Sequence, residues 1–309
     1  MFYIKLEENS IYPEEFNFIK IINKIKNRFN KIEIKKIDCI VINQVRDLLI
    51  IKDLSNKTLK KISEYIRINC ENFVCLSDNL SINKRFIEFI KNENVQIVDG
   101  RWLYKYLVGD IVDYISNCKK EKVEFQEISI LTHDINQIVI NTIRELALRV
   151  KILNVLTDKE NRFRNLEKEL YFEYGIILNM NNNYKRSLIK SDIIINFDFT
   201  EKEIIKYNLA KKSCIVNLER RVNIDSKIFE GINIYFFEIS IPSKYLQSLI
   251  HLKGFNTETL YESFIYKNTS FNNIKNELLN DKINIISLIG VNGRIRKKEF
   301  QNISKKVAN

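Results

Sequence analysis

The sequence predicts an α/β protein built on a parallel sheet covered by helices, and three observations support this. Between Glu127 and Glu219, short apolar runs alternate with helical patterns, the order a parallel sheet needs because each crossover must pass over one of its faces. Within that stretch Ile135, Ile138, Val139, Thr142, Ile143, Leu146 and Val150 fall at spacings of three and four, the mark of a helix with one buried face. The chain has 309 residues, 45% hydrophobic and 11% aromatic, enough to bury a core and to form two domains. The resulting prediction is a Rossmann-like domain over 125–242, preceded by a smaller α/β domain over 1–118 and followed by C-terminal helices and a basic tail over 243–309.

Taken in order, residues 1 to 30 read as a short strand and a helix, with Pro13, Glu14 and Glu15 near its start, where the positive helix terminus favours carboxylates. Two apolar runs, Cys39–Ile42 and Leu48–Ile51, read as a hairpin turning at Asn43 to Arg46. A helix over Asn56–Asn69, a strand Phe73–Leu76, a helix Asn83–Asn92, a strand Val95–Val98 and a helix Leu103–Ile115 complete the first domain. The polar stretch Asn117–Glu124 reads as the connection. The second domain reads as strand Glu127–Leu131, the helix described above, and strand Ile152–Leu156. Next comes a helix facing inward with Phe163, Leu166, Leu170 and Tyr174, then strand Ile176–Leu178. After a loop at Asn179–Asn183 and a short helix at Tyr184–Lys190, the strand around Ile193–Phe197 leads into a helix over Thr200–Lys212. Thr200 and Glu203 match a capping box at its start. Strands Cys214–Leu218 and Ile232–Ile241 follow, the latter ended by Pro242. Helices over Ser243–Leu252, Thr257–Tyr266 and Asn272–Leu279, then a strand Ile283–Ile289 and an Asn292-Gly293 turn, close the chain.

Composition narrows the function classes. The net charge is +11, but Lys282 to Asn309 holds seven Lys/Arg against one carboxylate, so more than half of the excess lies in the last 28 residues. A usage heavy in Ile, Asn and Lys also raises the charge without any partner. No apolar run reaches the ~18 residues of a membrane span, and the N-terminus lacks the basic and apolar regions of a secretory signal, so a cytoplasmic protein is expected. Cys39, Cys70, Cys75, Cys118 and Cys214 form no Cys-x-x-Cys pair and have mostly apolar neighbours, which predicts buried, reduced thiols. With only His133 and His251 in the chain, no Cys/His metal site is expected.

The run Ser191-Asp192-Ile193-Ile194-Ile195-Asn196 resembles a strand of shikimate dehydrogenases and glutamyl-tRNA reductases, and Leu156-Thr157-Asp158 through Leu166-Glu167-Lys168-Glu169-Leu170 is similar to their second strand and following helix. The resemblance spans roughly 90 residues. It implies a bound NAD or NADP, held by the turn Thr132, His133, Asp134, by Asn196, and by Asp158 at the position that meets the adenosine ribose or its phosphate. The departures are chemical. A dinucleotide turn uses glycines so that the backbone can approach the pyrophosphate at a helix N-terminus, yet no glycine occurs between Gly109 and Gly175. Asp134 places negative charge where the phosphates would lie, and its plainer role is to cap the helix beginning near Ile135. Asp158 likewise reads as a cap for the helix through Phe163. The Asn-Val-Thr-x-Pro-x-Lys stretch that holds the catalytic lysine of shikimate dehydrogenases has no counterpart, and Cys39 is not followed by the Asn-Arg pair of the reductases. No catalytic group is therefore identified.

Two further candidates lie elsewhere. Arg101, in Asp99-Gly100-Arg101-Trp102, stands at a helix start where a guanidinium can bind an anion, although Asp99 as a cap and Trp102 as a core anchor with Tyr106 explain the motif more simply. The tail cluster Arg294, Arg296, Lys297 and Lys298 suits an acidic partner or nucleic acid, although no row of aromatics accompanies it for base stacking. The expectation is a regulatory or interaction protein on a degenerate Rossmann-like scaffold. An NAD(P)-dependent oxidoreductase and a nucleic-acid-binding protein are the alternatives.

Overall fold

The computed structural model describes residues 1–7, 32–39, 42–180, 188–245, 252–266 and 270–303. The helix expected over residues 13–30, His251 and most of the helix expected at Tyr184–Lys190 lie outside the described residues. The protein divides into two compact units, one of Met1–Trp102 with Ile241–Asn268, the other of Leu103–Ser240 with Thr269–Asn309.

In the first unit, β1 (Phe2–Leu6), β2 (Ile32–Cys39), β3 (Gln44–Ile51), β4 (Phe73–Leu76) and β5 (Gln96–Val98) form a sheet in the order β2-β3-β1-β4-β5. The first pair is antiparallel and the others are parallel. The hairpin turns before Gln44, several residues earlier than expected, and its first strand runs back to Ile32. Residues 33–36 are exposed on this edge strand, so their charges hid the strand from a search for apolar runs. Helices α1 (Asn56–Asn69), α2 (Asp78–Ser81) and α3 (Lys84–Asn92) supply Ile62, Ile66, Leu80, Phe86 and Ile90 to a core with Phe2, Ile4, Leu49, Ile51 and Val74. Cys70 ends α1 in the left-handed region and is exposed, whereas Cys39, Cys75, Cys118 and Cys214 are buried. The buried-thiol expectation therefore fails at Cys70, because a C-cap projects past the packed face of its helix. Burial pushes all four buried thiols up, Cys214 to about 11, which disfavours nucleophilic thiolates.

Helix α4 (Arg101–Tyr106) leads into α5 (Val108–Lys119) of the second unit, so the single helix expected over Leu103–Ile115 is interrupted at Leu107. There β6 (Glu127–Leu131), α6 (Gln137–Ala147), β7 (Ile152–Leu156), α7 (Glu160–Tyr174), β8 (Asn179–Met180), β9 (Ile193–Asn196), α8 (Glu201–Ile204), β10 (Cys214–Asn217) and β11 (Ile232–Ile239) follow one another. The six strands lie in the spatial order β8-β7-β6-β9-β10-β11, all parallel. Numbered from β6, this is 3-2-1-4-5-6, the order of a doubly wound dinucleotide-binding sheet. The domain is Rossmann-like. Every residue of β9 and β10 is buried, as expected for central parallel strands covered on both faces.

Several boundaries differ from the sequence expectation. The third strand is the short β8, three residues later than expected, and Tyr174 is exposed because Gly175 ends the helix there with φ +69. The expected helix over Thr200–Lys212 shortens to α8, whose capping box forms as read from Thr200 and Glu203. Among the C-terminal elements, α9 (Thr257–Ile265) belongs to the first unit and α10 (Phe271–Asn280) to the second, where Lys275 pairs with Asp110 at 3.2 Å and Glu145 at 3.3 Å. Antiparallel β12 (Ile285–Gly290) and β13 (Gly293–Arg294) extend the sheet beyond β11, and α11 (Lys297–Ile303) follows. The turn residues are Val291 and Asn292 rather than Asn292 and Gly293. Gly293 takes φ +94 on the far side, the left-handed position that closes a hairpin after a type I turn.

Candidate functional site

In a sheet of this order ligands bind outside the carboxyl ends of the strands, where the order reverses between the first strand and the fourth. Here that place lies between the ends of β6 and β9, and Thr132, His133, Asp134 and Asn196 all converge on it with Asp158 from the end of β7. Their convergence follows from strand order, and what they do there differs from the expectation.

His133 is at the centre. Its backbone N–H donates to both oxygens of Asp198, at 2.9 and 3.1 Å, which ties the turn after β6 to the turn after β9. Its ring stacks on Phe199 with centroids 4.3 Å apart and planes 17° from parallel. Nδ1 lies 3.2 Å from Asp158 Oδ1 and Nε2 lies 3.0 Å from Glu203 Oε1. A ring carrying both protons donates to both carboxylates. Glu203 has two tasks: Oε2 accepts from the Thr200 N–H and hydroxyl, both at 2.7 Å, while Oε1 faces the histidine. Burial pushes Glu203 up, but these Thr200 hydrogen bonds and His133 bring it below the ordinary glutamate range. Asp198 moves the other way, since burial outweighs the N–H groups of His133 and Asp134 and raises it.

Neither expected cap forms. Helix α6 starts at Gln137, and Asn136 is its cap, with Oδ1 accepting from the Val139 N–H at 3.0 Å. Asp134 instead receives Lys159 Nζ at 2.7 Å with Arg162 at 3.7 Å, and the Lys159 hydrogen bond holds its carboxyl below the usual range. Helix α7 starts at Glu160 after Lys159, and Asp158 is occupied by His133. Thr132 is buried and its hydroxyl donates to the Asp134 carbonyl at 2.8 Å. Asn196 is buried as well: its amide donates to Phe199 O and to Asn217 Oδ1, both at 3.0 Å, and its Oδ1 accepts from the Phe199 N–H at 2.8 Å. It shapes the turn after β9. Asn217 continues the ladder to Asn233 at 2.7 Å.

Sequence reading missed Asp198, Phe199, Lys159 and Arg162 as members of this cluster. The capping box was the available signal, because it fixed Glu203 close to the end of β9. The run Ser191-Asp192 serves the opposite end of the sheet, where Ser191 bonds Ser129 at 2.6 Å and Asp192 accepts from the Glu127 N–H at 3.0 Å. Arg101 is half-buried at the start of α4, with its own N–H on Asp99 at 3.0 Å. Trp102 packs on Tyr266 at 5.0 Å rather than with Tyr106, which stacks on Phe271. Among the described residues, no group of three or more His, Cys, Asp or Glu is placed to hold a metal. No helix among them is long and apolar enough to cross a membrane.

No family model matches the sequence, and no curated protein matches it. Among solved structures the chain is similar to a dipicolinate synthase chain from Bacillus halodurans, at TM-score 0.38 and 10% identity over 59% of this chain and 64% of that one. It is also similar to L-tryptophan dehydrogenase from Nostoc punctiforme, at TM-score 0.28 and 11% identity over 89% and 77% of the two chains. A third is the Thermococcus litoralis Δ1-pyrroline-2-carboxylate reductase solved with NADH and L-proline, at TM-score 0.26 and 9% identity over 37% and 36%. The chain thus spans less than two thirds of the first and third of these proteins. Likenesses this distant carry no functional argument, and the fold assignment rests on the strand order itself.

Proposed function

We propose that the protein is a Rossmann-like scaffold with a regulatory or interaction role and no dehydrogenase activity. One observation carries this reading: at the strand-order reversal stands the protein's own His133, stacked on Phe199 and set between Asp158 and Glu203. A dinucleotide placed there meets this ring, and its pyrophosphate approaches a glycine-free turn bearing Asp134. The test is thermal stability with NAD, NADP and their reduced forms. A ligand specific to the folded state at a hundredfold excess over Kd adds about 2.7 kcal/mol of stability. No shift in melting temperature at millimolar ligand is expected, and a saturable rise overturns the reading.

The second reading is an NAD(P)-dependent oxidoreductase related to shikimate dehydrogenase. It is favoured by the 3-2-1-4-5-6 order together with Asp158 at the end of the second strand, where a ribose-binding carboxylate belongs. On this reading Asp158→Ala weakens dinucleotide binding, and an unchanged affinity counts against it.

A further inference from the structure

At the opposite end of the same sheet lies a cavity of about 670 Å³ that the dinucleotide readings do not involve. It sits beside the start of β11 and the β12–β13 hairpin, and Arg294, Arg296 and Lys298 line it. The sequence explains their direction. Residues 294 to 296 are extended, so Arg294 and Arg296 stand exposed while Ile295 between them turns into the protein.

The electrostatic balance around this cavity is one-sided. Arg294 donates its Nε to Glu238 at 2.7 Å, the one ion pair among the described residues that these three cations make. Arg296 and Lys298 have no carboxylate partner among the described residues. Glu299 also lines the cavity, and its Oε1 accepts the Arg296 backbone N–H at 2.8 Å. Three cations against Glu238 and Glu299 leave a net positive charge at the concave surface, carried by the Arg296 and Lys298 side chains. The rest of the lining includes Ile224, Phe229 and Val291, with Ser226 and Asn292 as polar groups. Gly293 borders the mouth, where an added Cβ would meet nothing within 4 Å.

We propose that this cavity binds a phosphate-bearing small molecule of up to nucleotide size, with Arg294, Arg296 and Lys298 holding the phosphate. Arginine forks match phosphate oxygens in pairs, and a lysine ammonium adds a point charge. The volume lies within the roughly 300–1,000 Å³ of small-molecule sites. A single-stranded nucleic acid fits less well, because base stacking needs exposed rings and Phe229, the aromatic residue in the lining, is 4% exposed.

The test is calorimetric titration of the full chain with inorganic pyrophosphate and with AMP. Saturable one-site binding is expected. It should weaken by about tenfold or more in Arg296→Glu/Lys298→Glu and be unchanged in Lys57→Gln/Lys60→Gln, which removes two exposed cations from α1 in the first unit. The neutral pair Arg296→Gln/Lys298→Gln provides the same comparison without introducing repulsion, and both pairs lie on the surface. Absence of saturable binding, or affinity as high as the parent's in both double variants, overturns the proposal. So does tight binding of a single-stranded oligonucleotide that pyrophosphate and AMP fail to displace, which would make the surface a nucleic-acid interface.

Discussion

The two ends of the eight-stranded sheet handle charge in opposite ways. At the carboxyl end of the parallel strands, Asp134 meets Lys159, Asp158 meets a ring nitrogen of His133, and Asp198 and Glu203 accept backbone N–H groups. At the other end Arg296 and Lys298 have no such partner among the described residues and line an open cavity. The difference shows that fold position alone does not identify a ligand site. The end where this fold class binds dinucleotides is internally satisfied, and the end without that precedent has spare charge.

The comparison can be broken most severely at Asn196. Alanine there leaves the Phe199 N–H and Asn217 Oδ1 buried without this partner, so Asn196→Ala should cost about 3 kcal/mol, read as a lower denaturant midpoint. An unchanged midpoint would show that the ladder does not hold this end closed. At the other end Gly231→Ala drives a Cβ into the Ser213 carbonyl oxygen, and about 2 kcal/mol of destabilisation is expected from the forced shift between β10 and β11. The same measurement checks it.

His133→Ala is a smaller change with a sharper meaning. It removes the ring stack and leaves Asp158 and Glu203 without the group between them, so about 1 kcal/mol of stability should be lost. If the ring is what blocks a dinucleotide, the variant should also gain an NADP-dependent rise in melting temperature that the parent protein lacks. A variant as unresponsive as the parent would assign the block to the glycine-free turn.

The smallest effect concerns acid. Arg144 on α6 grips Glu169 on α7 through Nε at 2.6 Å and Nη2 at 2.7 Å, and this hydrogen bonding holds the Glu169 carboxyl below the usual range. A carboxyl lowered in the folded state adds stability above its unfolded value, and that stability disappears as pH falls through the folded value. Melting temperature should therefore fall less steeply in Glu169→Gln than in the parent as pH drops below about 4. Parallel curves would mean that the half-buried pair contributes nothing measurable.

Much of this molecule was legible from the sequence, and the limits follow from distance along the chain. The apolar positions Val139, Thr142, Ile143 and Leu146, the central strand Ile193 to Asn196, and the Thr200–Glu203 capping box depend on neighbours within four residues, so local pattern determined them. The missing glycines were equally plain. What sequence could not assign was the partner of each polar group. Asp134 and Asp158 looked like helix caps because a cap is the local use of such a residue, yet Lys159 and His133 claimed them from 25 residues away. Asp198 and Glu203 reach His133 across 65 and 70 residues, and only because β9 lies beside β6. The sequence by itself determined the alternation of strands and helices around the central sheet and that the turn after β6 lacks the usual phosphate chemistry. The tertiary structure alone decided which charges are neutralised and which are left facing an open cavity, because ion pairing depends on separations of a few ångströms that strand order sets.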